Sequence, residues 1–94
     1  MAIIGPDTPL YSVTEVAKRL NVHPQTLRMY DRKGLVSPNR LTGARRLYSD
    51  NDLARLRRLM ELTAEGVNLP GVSRILTLEK EIERLQQQLG EHSS

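Results

Sequence analysis

Apolar positions recur at helical spacing in four stretches of this chain. Val13, Val16, Ala17 and Leu20 fall at i, i+3, i+4 and i+7, the stripe of a helix with one buried face. Ser12-Val13-Thr14-Glu15 opens that stripe as a capping box, in which the hydroxyl and the carboxylate satisfy helix N-terminal donors. Asn21 is the predicted stop, and Val22-His23 a short turn into a second helix. That helix starts at Pro24, whose missing N–H costs nothing at the first helical position, and ends at Gly34, the left-handed residue beyond its last turn. Leu27, Tyr30 and Asp31 lie on one side of it, and Gln25, Arg28, Met29 and Arg32 share the other. Two short helices joined by a tight turn, the second basic, read as a helix-turn-helix.

The third stripe is Leu53, Leu56, Leu59, Met60 and Thr63, introduced by the cap signal Ser49-Asp50-Asn51-Asp52 and closed by Gly66. The fourth begins at Asn68 and turns Val72, Ile75 and Leu76 inward. Between the second and third stripes, Pro38 and Gly43 break helix. Val36 and Leu41 on one side and Leu47 and Tyr48 on the other predict a small hairpin with Thr42-Gly43 at its tip. A hairpin of this length is unstable alone, so it must pack on the helices, where it reads as a wing.

A different period governs the end of the chain. Ile75, Leu78, Ile82, Leu85 and Leu89 are spaced 3-4-3-4, the a/d pattern of a coiled coil. The seam either folds back on its own domain or pairs with a second chain. Pairing is favoured because the seam runs past the apparent core and a helix this short is marginal alone. Gly90 and the polar end Glu91-His92-Ser93-Ser94 are expected to fray. Three segments result: residues 1–10, a flexible arm with Gly5, Pro6 and Pro9; 11–76, a winged helix-turn-helix; and 77–94, a dimerisation helix and tail. The fold class is mainly α.

Composition narrows the function. The 94 residues include no Cys, Phe or Trp, so the core must be built from Leu, Val, Ile and Ala, and thiolate metal sites and disulfides are excluded. No stretch is apolar for long enough to span a membrane, and Met1–Pro9 lacks the features of a secretory signal. A cytoplasmic location is expected. The net charge of +3 is unevenly spread. Lys18 to Tyr48 holds eight basic residues and one acid, Asp31, so it carries +7 and leaves −4 for the remainder. Such a local footprint suits a polyanion.

The candidate contacts follow from that footprint. Arg28 can pair bidentately with a guanine edge or clamp a phosphate, and Gln25 can pair with adenine. Thr26 and Met29 lie beside them; Thr26 either meets a base or serves as a solvent-facing or capping residue. Tyr30 either reaches a phosphate through its hydroxyl or only packs. Lys18 and Arg19 on the first helix and Arg32 on the second suit phosphates or solvent. Arg45 and Arg46 on the hairpin suit backbone or minor-groove contact, with an Arg46–Asp31 ion pair as the structural alternative. His23 reads as an N-cap or turn residue. The other histidine, His92, is far away in sequence, so a metal site is not expected. No nucleophile–base pair, Gly-rich phosphate loop or catalytic carboxylate pair stands out. Neither an enzyme nor a cofactor is expected.

Tyr11-Ser12-Val13-Thr14-Glu15-Val16-Ala17, then Thr26-Leu27-Arg28-x-Tyr30-Asp31, Gly34-Leu35, Arg46-Leu47-Tyr48-Ser49 and Asp52-Leu53 together resemble the signature of the MerR family of transcription regulators. Within it, His23-Pro24-Gln25-Thr26-Leu27-Arg28 and Gly66-Val67-Asn68-Leu69-Pro70-Gly71-Val72 are most similar to the HspR heat-shock repressors. The resemblance implies a homodimer held by an antiparallel coiled coil, binding to an inverted-repeat operator on double-stranded DNA, repression of heat-shock and chaperone genes, and a DnaK-type chaperone as corepressor. Met29 departs from the pattern, since many members have a second tyrosine there. These 94 residues also contain no effector domain, which argues against a small-molecule or thiol-metal sensor. The competing class is a protein-interaction module on the same scaffold that modulates a chaperone or J-domain cochaperone. Such a module would not need basic residues concentrated on helix and wing.

Overall fold

A computed structural model of the chain describes residues 4–42 and 45–92, the side chains of 39–45 and of 92 excepted. In chain order the elements are α1 (Val13–Leu20), α2 (Pro24–Arg32), β1 (Asn39–Thr42), β2 (Arg45–Leu47), α3 (Asp50–Ala64) and α4 (Leu69–His92). The chain divides into two compact units, residues 1–57 and 58–94. The division falls inside α3.

Local capping chemistry sets the first two helices. Ser12 Oγ accepts from the Glu15 N–H at 3.2 Å, and α1 ends at Asn21 with φ 55°. Asn is among the few residues other than Gly that adopt this left-handed conformation routinely. The Val22 N–H then returns to the Ala17 carbonyl at 3.0 Å, which turns the chain sharply. His23 Nδ1 accepts from the Gln25 N–H at 3.0 Å, so the imidazole caps α2 with Pro24 in its first turn. Gly34 closes α2 at φ 73°, where a Cβ would strain the backbone. Leu35 donates back to the Tyr30 carbonyl at 3.0 Å.

Leu35 and Val36 then drop into the core. β1 and β2 pair antiparallel, with Asn39 opposite Leu47, Arg40 opposite Arg46 and Thr42 opposite Arg45, and the register shifts between Arg40 and Thr42. Val36 thus precedes the hairpin instead of belonging to it, and the expected Gly43 tip lies outside the described residues. Tyr48 also leaves the hairpin. Its backbone is taken by Tyr11 in an isolated antiparallel bridge, with N–H···O distances of 2.7 and 2.9 Å. Part of the segment expected to be a loose arm is tied down nearby: Asn51 donates from its N–H to the Pro6 carbonyl at 2.9 Å and from its amide to Asp7 at 2.7 Å.

Ser49 and Asp52 form a reciprocal box at the start of α3. The Asp52 N–H donates to Ser49 Oγ at 3.1 Å, and the Ser49 N–H donates to Asp52 Oδ2 at 2.9 Å. The first unit buries Val16, Ala17, Leu20, Leu27, Tyr30, Leu35, Val36, Tyr48, Leu53 and Leu56. Arg55 Nε donates to the Leu35 carbonyl at 2.6 Å and holds the chain where it leaves α2. In the second unit Leu59, Leu62, Val72 and Leu76 are buried. α3 therefore buries a residue at every third position from Leu53 to Leu62, and Met60 and Thr63 are only half-buried. Gly66 ends α3 at φ 93°, and Asn68 Oδ1 accepts from the Gly71 N–H at 2.9 Å to start α4. α4 runs unbroken from Leu69 through Gly90 to His92, so the expected fraying at Gly90 is not seen in its backbone.

Candidate nucleic-acid interface

The first unit presents a basic face built on α2. Pro24 and the His23 cap fix where that helix begins, and the burial of Leu27 and Tyr30 fixes its rotation. Gln25, Arg28 and Arg32 consequently stay exposed, while Thr26 and Met29 are half-buried beside them. Burial pushes the Tyr30 hydroxyl above its ordinary titration range. The ring packs in the core, and the neutral O–H is all that Tyr30 offers to a partner.

α1 adds Lys18 and Arg19, both exposed. The Arg19 guanidinium lies 4.6 Å from the centroid of the Tyr11 ring, in the cation–π range. The Tyr11 hydroxyl donates to Asp50 Oδ1 at 2.8 Å, and this bond, then desolvation and the Asp50 charge, raise its pKa. Tyr11 thereby props Arg19, a role that sequence periodicity did not suggest because Tyr11 precedes the helix. Arg55, which anchors Leu35, lies inside α3 and has a different reason for leaving no sequence signal: nothing in local spacing points a long side chain at a distant carbonyl.

The hairpin is placed against α2 by charge. Arg46 Nη1 meets Asp31 Oδ2, with the Asp31 side chain 13% exposed and that of Arg46 35% exposed. Of the two roles open to Arg46 in the sequence, the ion pair is the one seen. Arg28, Asp31 and Arg32 of α2, with Ser12, Arg46 and Tyr48, line an open recess of about 510 Å³. Burial raises the Tyr48 hydroxyl, against the pull of Arg46 and Arg28, so the recess wall is a neutral phenol among guanidinium groups. The Arg45 side chain lies outside the described residues.

The second unit carries the heptad seam. Leu78, Ile82, Leu85 and Leu89 are between 45% and 70% exposed, and Ile75 is half-buried. The seam is therefore not consumed by the unit's own core. Arg58 grips Glu79 through Nε and Nη2, the latter at 2.8 Å, and reaches Glu61 through Nη1 at 3.0 Å. That clasp joins α3 to α4 and holds the Glu79 carboxyl below the usual glutamate range. Among the described residues no group of three His, Cys, Asp or Glu could hold a metal ion. No described helix is long and apolar enough to cross a membrane.

Comparison with known proteins places this geometry. Residues 11–79 match the sequence profile of the MerR HTH family regulatory proteins. A Streptomyces coelicolor protein designated heat shock protein HspR is 46% identical over 86 residues, 90% of this chain and 57% of that protein. The chain thus spans little more than half the length of this relative. The N-terminal portion of MtaN, the Bacillus subtilis multidrug transporter activator, is 32% identical and superposes with a TM-score of 0.67 over 88% of this chain and 90% of that structure. HiNmlR, a MerR family regulator lacking the sensor domain and solved bound to promoter DNA, shares the fold at 23% identity, with a TM-score of 0.63 over 88% of this chain and 75% of that one. The matching family is one of regulatory proteins, and the two solved structures are named as an activator and a regulator.

Proposed function

Because the chain belongs to the MerR family of helix-turn-helix regulatory proteins, we propose that it is a sequence-specific DNA-binding transcriptional repressor acting as a cytoplasmic homodimer. One observation carries the reading: α2 buries Leu27 and Tyr30 and leaves Gln25, Arg28 and Arg32 exposed together. A helix of that kind enters the major groove, where Arg reads guanine and Gln reads adenine by paired hydrogen bonds. Thr26 and Met29 flank those contacts. Lys18 and Arg19 on α1, and Arg45 and Arg46 on the hairpin acting as a wing, hold phosphates and fix the register of α2.

The seam of Ile75, Leu78, Ile82, Leu85 and Leu89, exposed from Leu78 onward, pairs two chains, and their α2 helices then meet the two halves of an inverted repeat. The likeness to HspR makes heat-shock and chaperone promoters the proposed targets and a DnaK-type chaperone the proposed corepressor. A gel shift and footprint on the promoter of its own operon, at 150 mM salt, test the reading. The expected result is a protected inverted repeat bound at least ~10³-fold more tightly than random duplex. Equal affinity for both duplexes, with capture of a chaperone in the absence of DNA, overturns it in favour of a protein-interaction module.

A further inference from the structure

Asp31 is the one acid within the basic footprint from Lys18 to Tyr48, and its position is electrostatically awkward. It sits in α2 between exposed Arg28 and Arg32 and borders the same recess as they do. On a face that binds a polyanion, an acid repels the ligand. Yet its carboxylate is the more buried member of its ion pair, and no hydrogen bond reaches the buried Oδ2. The Arg46 guanidinium is what compensates that oxygen. A carboxylate buried without a partner is costly, so the charge attraction acts on the position of Arg46 and of β2, which carries it.

Among the described residues, the Tyr11–Tyr48 backbone bridge ties down the end of the hairpin that follows β2, and the Arg46–Asp31 pair ties the hairpin to α2. β2 is three residues long, the register with β1 shifts within the pair, and a two-stranded ribbon is marginal alone. Among the described residues, Arg46 is the β2 side chain that reaches α2 through an ion pair.

We propose that Asp31 is a positioning residue for DNA binding: through its ion pair it holds Arg46 and the hairpin at a fixed angle to α2, so that the Arg46 guanidinium faces the phosphate backbone flanking the groove that Arg28 reads. This inference rests on the DNA-binding reading above. Asp31 touches no DNA. Arg46 has further N–H donors beyond the one facing Asp31, so one guanidinium serves the carboxylate and a phosphate together.

The test is a sign. If Asp31 acted only as an acid beside DNA, Asp31→Asn would strengthen binding and steepen its salt dependence. As a positioning residue, Asp31→Asn weakens binding to every duplex roughly tenfold, lowers the salt slope by about one unit and leaves base preference unchanged. In an Arg46→Ala background the sign reverses. With no guanidinium to hold, Asp31→Asn leaves affinity unchanged or improves it.

Affinities are measured by fluorescence anisotropy on operator and random duplexes from 50 to 300 mM salt, below each variant's melting temperature. Unchanged or tighter binding by Asp31→Asn alone, or weaker binding by Asp31→Asn/Arg46→Ala than by Arg46→Ala, overturns the proposal. Should Asp31→Asn fail to fold, Asp31→Glu decides it: it keeps the charge but displaces the guanidinium, so binding to every duplex weakens, and binding equal to wild type overturns the proposal. Failure of the wild-type chain to prefer operator over random duplex would instead sink the functional reading.

Discussion

Arg28 is exposed on a helix whose rotation is fixed by the burial of Leu27 and Tyr30, so its removal should cost recognition without costing the fold. Arg28→Ala is expected to lower operator affinity by about 1–3 kcal/mol and to relax preference at one base position. Selection of bound sequences from a randomised operator pool checks it; an unchanged consensus and affinity would remove Arg28 from base reading. At this scale the sequence was most legible where the chemistry is local. The Ser12 cap, the Asn21 stop, the Pro24 start and the Gly34 stop all depend on neighbours within a few residues, and each appears as read; the left-handed backbone at Asn21 is the added detail. The Tyr11 prop under Arg19 and the Arg55 bond to Leu35 depend on tertiary geometry and left no periodic trace.

At the scale of elements, the α3–α4 pair offers a pH test. Hydrogen bonds from Arg58 hold the Glu79 carboxyl below its ordinary value of 4.5. A carboxyl depressed in the folded state stabilises it at pH above the unfolded value, and that contribution is lost as pH falls through the folded value. Glu79→Gln should therefore melt below wild type at pH 7, with the gap closing as pH drops below about 4. Both partners are substantially exposed, so the gap should be modest and should shrink in 1 M salt. Melting curves for both proteins at pH 7, 5 and 3 check this, and a gap independent of pH would mean that Glu79 acts by packing. The hairpin was less legible than the helices. Its existence followed from Pro38, Gly43 and the apolar flanks, but Val36 and Tyr48 were read as strand because they are apolar and aligned. They are instead the buried residues on either side of it, since the Tyr48 backbone is claimed by Tyr11, a partner 37 positions away that no hairpin rule could supply.

For the whole molecule the question is assembly. Four seam residues stay exposed within the chain, so Leu85→Asp should leave the melting of a monomer nearly unchanged. In a dimer it would bury a charge in an apolar contact at a cost of several kcal/mol. Sedimentation over a concentration series, with and without operator, is expected to show a weak wild-type dimer strengthened by DNA and a variant that stays monomeric. Its binding to the inverted repeat should then fall far more than its binding to a single half-site. If wild type and Leu85→Asp bind the inverted repeat with equal affinity and stoichiometry, the seam is not the dimer contact. The seam was legible in sequence because the heptad period differs from that of a helix serving one core. That it continues the fourth helix without a break was not, since Asn68-to-Leu76 and Leu78-to-Leu89 carry different periods and Gly90 reads as a stop.

That continuity makes α4 a single rod with two working faces, a buried one at Val72 and Leu76 and an exposed one from Leu78 onward. The two faces are geared together: each residue added between them turns one against the other by about 100°. A single alanine inserted after Thr77 would turn Leu78 and the rest of the seam by about 100° against the buried face and break the 3-4 spacing between Ile75 and Leu78. Seven inserted residues would return it to within about 20° of its original phase and lengthen the rod by about 10.5 Å. Dimerisation should survive the longer insertion and fail with the shorter one. Footprinting the longer variant on operators of varied half-site separation would then show whether the length of α4 sets the preferred separation.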